Sequence, residues 1–153
     1  MERKHQLILL AVIFCSIVLF SIAATFLLNY SSFNTRQLGQ IHTGGNAVDV
    51  EIQGDIVYVI DNADFNSGGL VIINVSDPSS PSILGSYYQS GVPFKVSVVG
   101  EIAFLANSQV GLEILNVSNP SNPIKIDQYT GSGAAYDIEI VGEFGYLADW
   151  GRG

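Results

Sequence analysis

The chain has 153 residues, 48% of them hydrophobic and only 13% charged, a balance that excludes a charge-rich disordered polymer. With 14 acidic against 6 basic side chains its net charge is −8, which excludes a nucleic-acid partner, because phosphate binding needs clustered Lys and Arg. A single cysteine excludes a disulfide framework and any Cys-based zinc site.

Met1 to Gln6 carries Arg3 and Lys4 and reads as a short cytoplasmic segment. Leu7 to Leu28 then runs for 22 residues without a charge. As a helix that run reaches roughly 33 Å, enough for a bilayer core of about 30 Å. The flanking cations keep the N-terminus inside, so residues 7–28 are expected to form a transmembrane signal anchor that exports the rest. The alternative is a cleaved signal peptide followed by secretion, since Ser21 and Ala23 offer small residues to a peptidase; the apolar run is long for one. Cys15 follows Phe14, where a lipoprotein signal needs a small residue, and reads as an inert thiol in the bilayer. Residues 29–37 (NYSSFNTRQ) are polar and read as a stalk. Beyond residue 28 remain 13 acidic and 4 basic side chains, a solvated surface that repels anionic lipid.

From residue 38 onward the sequence repeats itself. AVDVEIQGDIVYVID (47–61), KVSVVGEIAFLAN (95–107) and AYDIEIVGEFGYLAD (135–149) align on Gly54, Gly100 and Gly142, which are 46 and 42 residues apart. GLVIINVSDPSSP (69–81) and GLEILNVSNPSNP (111–123) follow the first two copies, and RQLGQIHT (36–43), SILGSYYQ (82–89) and IKIDQYTG (124–131) lead each unit. The extra length of the first unit lies in one loop between Asp61 and Gly69. Gly followed by an acid and a new apolar run is a hairpin signal, whereas Pro78, Pro81, Pro120 and Pro123 cannot continue a strand. Val48, Val50 and Ile52 alternate with period two, and no helical period appears beyond residue 30. Four strands in about 42 residues is the size of a propeller blade. The expected fold is all-β, with four-stranded β-propeller-type blades over 38–83, 84–125 and an incomplete 126–153, preceded by one transmembrane helix.

GLVIINVSDPSSP and GLEILNVSNPSNP resemble the LVIVD repeat, and VVGEIAFLAN and IVGEFGYLAD resemble its adjoining hairpin. The resemblance covers about residues 36–153. It implies a β-propeller found mostly in exported or surface proteins, with no shared catalytic residues.

Gly153 aligns with Gly111, the residue before the third copy of the LVIINVS strand. The expectation is a fragment of a longer chain, or several copies completing one ring, with self-association through the open blade edge.

The loops joining strands two and three, and those joining blades, gather on one face, which is the candidate binding face. There Asp64, Phe65, Trp150 and Arg152 are the candidate contacts for a protein or glycan partner, although Trp150 is expected to pack between blades. Asn62, Asp64 and Asn66 place oxygens at alternate positions, as in calcium loops, but Ser67 and Ile73 stand where an EF-hand has Gly and Glu. The same residues are ordinary loop formers, so calcium is a weak candidate and no cofactor is otherwise expected. Asp49, Lys95 and Asp137 occupy equivalent positions and either line a central channel or bond backbone amides at blade junctions. Asp61, Asn107 and Asp149 form a second ring, read as turn-initiating residues. Asn29, Asn74 and Asn116 begin glycosylation sequons, the last two within the repeated strand. His5 and His42 lack ligand-spaced partners, and no nucleophile elbow or phosphate loop occurs. These observations favour a membrane-anchored or exported binding or scaffold module over a fragment of an extracytoplasmic propeller hydrolase or lyase.

Overall fold

The computed structural model describes residues 36–62, 67–131 and 133–151. The expected anchor over 7–28 lies outside them, as do most of the stalk, Asn29, Asp64, Phe65, Asn66 and Arg152. No helix among the described residues is long and apolar enough to cross a membrane.

The strands are β1 (Asn46–Gln53), β2 (Ile56–Asn62), β3 (Ser67–Asn74), β4 (Ser82–Ser90), β5 (Lys95–Val99), β6 (Ile102–Asn107), β7 (Gly111–Asn116), β8 (Ile124–Tyr129), β9 (Ala134–Val141) and β10 (Phe144–Trp150). They form two four-stranded antiparallel sheets, β1-β2-β3-β4 and β5-β6-β7-β8, and a two-stranded sheet, β10-β9. Among the described residues these sheets do not close a ring.

The hairpins form where the glycines predict. Gly54, Gly100 and Gly142 have φ of 61°, 61° and 62°, at the first central position of two-residue turns, as a type II′ turn requires. A Cβ there would meet open space, so the demand for glycine is conformational and not steric.

Burial of both faces explains why the middle strands are apolar throughout. Tyr58, Ile60, Leu70 and Ile72 of the first sheet pack on Val96, Val98, Ala103, Leu105, Leu115 and Val117 of the second. Val57, Val59, Val71, Ile73 and Val75, on the other face of the first sheet, pack with Ile41 and Ala47. Between the second and third sheets the buried set shrinks to Ala106, Ala135 and Ile138. Burying a side chain such as Ile60 or Leu70 contributes about 1.5–3 kcal/mol, so the first interface is the stronger one.

The expected unit boundaries are displaced by one strand. Residues 82–90 pair with β3 and close the first sheet, where the sequence reading placed them at the head of the second unit. Likewise 124–129 pair with β7 and not with β9. The proline stretches that suggested boundaries are internal turns: Ser80 N–H donates to Asp77 O at 3.0 Å and Asn122 N–H to Asn119 O at 3.0 Å, folding the chain back. The segment 36–43 forms no strand beyond a bridge at Gly39. It nevertheless lies on the first sheet as β4 lies on the second. Gly39 abuts the carbonyl of Pro78 as Gly85 abuts that of Pro120, and a Cβ at either would collide with backbone.

Candidate functional site

The site grows out of an irregularity at the start of each inner strand. In β1 the pairing register slips between Ala47 and Asp49, leaving Val48 as an extra residue. In β9 the partners jump from Ala135 to Asp137 and leave Tyr136 extra, at the equivalent repeat position. Phe94 holds that position in the second unit, just before β5, with its N–H donating to Ala106 O at 2.9 Å. Bulges re-aim a side chain out of the alternating pattern. Here they bring two aromatic rings together: Phe94 stacks on Tyr136 at 4.9 Å with planes 20° apart. Tyr136 in turn meets the ring of Trp150 edge-on at 6.2 Å and 66°. Exposure increases along this row, reaching 40% at Tyr136 and 76% at Trp150. Trp150 therefore does not pack between blades as expected, because β10 ends at the solvent-facing rim with only Tyr136 beside it among the described aromatics.

Next to this row sit the charged residues of the inner strands. Asp49 accepts from Lys95 Nζ at 3.1 Å and from Val96 N–H at 2.9 Å, so it joins the first sheet to the second through the backbone. Burial pulls the Lys95 ammonium pKa down, but the bond to Asp49 and the charges of Asp49, Asp137 and Glu51 outweigh this and hold it above its ordinary value. Asp137 instead accepts from the adjacent Ile138 N–H at 2.9 Å, since Lys95 supplies no acceptor where Asp49 would.

Asp61, Asn107 and Asp149 are not simple turn initiators. Asp61 is fully buried and accepts from Gly45 N–H of the loop before β1 at 3.0 Å. Asn107 donates to Glu113 Oε2 at 2.6 Å. One oxygen of each of the three is buried without a hydrogen-bond partner among the described residues. Those of Asn107 and Asp149 press on junction glycines: a Cβ at Gly91 would strike Asn107, and one at Gly131 or Gly133 would strike Asp149. Part of the glycine content of the candidate face therefore answers an internal packing demand.

Asn62, one of the three calcium candidates, is buried and spends its amide on Pro93 O at 3.1 Å, tethering the first blade to the loop before β5. No group of three or more His, Cys, Asp or Glu side chains among the described residues is arranged to hold a metal. Asn74 and Asn116 cap the strand ends: their Oδ1 atoms accept from Ser76 N–H at 2.8 Å and Ser118 N–H at 2.9 Å. That capping accounts for both residues in the repeat without sugar.

Sequence reading missed Phe94, Tyr136 and Glu113. The first two were detectable as aromatics directly preceding the Lys95 and Asp137 pair. Glu113 was detectable as a lone charge where the first unit has Val71. It is 1% exposed and accepts from Asn107, from Tyr87 OH at 3.2 Å and from Lys125 Nζ at 3.1 Å. Burial first, and then the Glu113 charge, push the Tyr87 pKa up to about 12.

Compared with known proteins, the chain matches no curated sequence. The profile of the LVIVD repeat matches at 44–89, 91–131 and 132–153, three consecutive segments whose limits follow the sheets and not the earlier unit boundaries. Three tandem matches, together with antiparallel sheets repeated in register, place the chain in the LVIVD repeat family.

Proposed function

We propose that this protein is an extracytoplasmic recognition module, tethered to the membrane by residues 7–28, that uses its aromatic row to bind a glycan or a protein surface. The observation that carries this reading is the line from Phe94 through Tyr136 to Trp150, which leads from a blade junction into solvent. Flat, rigid aromatics present a large contact area at small entropic cost, and they stack on sugar rings as readily as they anchor peptides. The charged residues beside the row support binding over a hydrolase or lyase reaction. Asp49 is engaged by both Lys95 Nζ and the Val96 N–H, and Lys95 is held in an ion pair with it, which leaves neither poised to transfer a proton.

Trp150 is the only tryptophan in the chain, so its emission reports on this site alone. Titration with soluble oligosaccharides and with envelope-derived peptides is expected to shift its emission to the blue and to protect it from acrylamide. Tyr136→Ala should weaken both effects. Emission and quenching that stay unchanged across both panels would overturn the aromatic row as the binding element. Topology is tested separately, by protease treatment of intact cells. Cleavage within residues 38–153 is expected, and full protection would overturn the exported orientation.

A further inference from the structure

The edges of the three sheets are guarded unequally. Among the described residues the edge strands are β1 and β4 of the first sheet, β5 and β8 of the second, and β9 and β10 of the third. A charged side chain on an edge strand discourages pairing with a foreign strand. Asp49 in β1, Lys95 in β5, Asp127 in β8, Glu139 in β9 and Asp149 in β10 give five of these edges such a charge. β4 alone has none, although with 9 residues it is the longest strand described. No acid or base occurs anywhere from Pro78 to Phe94, so the neutral stretch extends past both of its ends. Comparison with β8, its equivalent in the second unit, sharpens the difference. Both strands carry a bulge, which leaves Leu84 extra in β4 and Ile126 extra in β8. Past the bulge β8 pairs only through Asp127, Gln128 and Tyr129, whereas β4 continues in unbroken register over residues 85–90. The proline turn of the second unit rests on the face of β4 at Gly85, and β4 has β3 as its one neighbour among the described residues.

We infer that residues 85–90 of β4 pair with the same residues of a second copy of this chain, antiparallel about a two-fold axis, so that two first sheets join into one. A strand is its own complement in that arrangement, because a two-fold axis normal to the sheet reverses the strand and keeps each face on its own side. Faces match only when the axis passes through a residue, and Tyr88, 46% exposed, is the most exposed large side chain of the run. Tyr88 then faces Tyr88 of the partner subunit, and Ser86 faces Ser90 of the partner subunit, which makes an aromatic cross-strand pair flanked by hydroxyls. Charge selects a second copy as the occupant. With a net charge of −8 two copies repel wherever their acidic surfaces meet, and the neutral stretch 78–94 is where they can approach. A basic partner finds no carboxylate to recognise there. Backbone hydrogen bonds along the edge supply the affinity. β4 lies well inside the chain and shares no residue with the aromatic row.

The test uses the full chain in density-matched detergent micelles, followed by sedimentation equilibrium over a range of concentrations. A monomer–dimer equilibrium is expected. Ser86 and Ser90 are both exposed, so the double variant S86K/S90K places like charges opposite each other across the axis without touching the core. It should raise the dimer dissociation constant at least about tenfold while far-ultraviolet circular dichroism stays unchanged. Crosslinking locates the contact independently. With the single native cysteine removed by Cys15→Ser, Tyr88→Cys should form a disulfide-linked dimer under mild oxidation, and Asp127→Cys on the β8 edge should not. A natural chain that stays monomeric would overturn the proposal. So would a dimer that survives S86K/S90K with the fold intact, since another surface would then hold it. Crosslinking of Asp127→Cys as efficient as that of Tyr88→Cys would overturn it as well. Should S86K/S90K fail to fold, the pair of cysteine variants decides.

Discussion

The second blade hides a charge arrangement that the first blade lacks, and exchanging one for the other is a direct test of the packing argument. Asp61, Val71 and Ile83 in the first unit correspond to Asn107, Glu113 and Lys125 in the second, so each unit has one carboxylate at this level, on a different strand. Glu113→Val removes the acceptor of the Asn107 amide, and Asn107 is 1% exposed. An orphaned buried donor costs about 1–3 kcal/mol, and the shorter side chain leaves a void, so a total loss of about 3 kcal/mol is expected. Lys125 keeps 30% of its side chain in solvent and rehydrates, adding little. Lys125→Ile alone is worse, because Glu113 then stays buried with its charge uncompensated; breaking such a pair costs about 3–5 kcal/mol. The triple variant N107D/E113V/K125I restores the first blade's solution and should return to within about 1 kcal/mol of the natural chain. With a denaturant slope of about 1–2 kcal/mol/M in urea, Glu113→Val should lower the midpoint by about 1.5–3 M and Lys125→Ile by about 1.5–5 M, measured by far-ultraviolet circular dichroism. Additive losses in the triple variant would refute the reasoning, since they would show that the three residues do not form one interchangeable unit.

Alkaline pH should loosen the blades within a defined window. Lys95 and Tyr87 both have folded-state pKa values above their ordinary ones, so their contributions are complete below about pH 10 and are lost as pH rises, for Tyr87 through about 12. Spectrophotometric titration of tyrosinate should show a late-ionising group that Tyr87→Phe removes. Gly91→Ala should destabilise by about 1–3 kcal/mol in chemical denaturation, because φ there is 113° and the new Cβ meets Asn107. Asn62→Ala should cost about 1–2 kcal/mol through the lost tether to Pro93 O, read as a lower urea midpoint. A double-mutant cycle between Phe94 and Tyr136 should give a coupling of about 0.5–1.5 kcal/mol, whereas Trp150→Ala should leave the midpoint nearly unchanged.

What could be read without coordinates was whatever depends on near neighbours in the chain. Hairpins at Gly54, Gly100 and Gly142 follow from a backbone preference, and the paired apolar runs of β2 and β3 follow from burial on two faces. The placement of 82–90 was not readable, because a periodic sequence has no intrinsic starting point. Only the hydrogen bonds between β3 and β4, across a proline turn, set where a sheet begins. The aromatic row was hidden for a related reason. Tyr136 reaches Phe94 through a bulge, and a bulge breaks the period-two rule used to assign faces. The role of Asp61 was misread because its partner, Gly45, lies 16 residues away in a loop with no sequence mark of its own.

The displaced sheet boundary matters to anyone wishing to lengthen, shorten or shuffle this array. A cassette cut near residue 83 would sever β4 from the sheet it completes, whereas one cut in the loop between Ser90 and Lys95 would carry four strands away whole. Even that graft would inherit an obligation, since Gly85 of one unit nests against Pro120 of the next. A transplanted module will seat well only on a successor that keeps its proline turn.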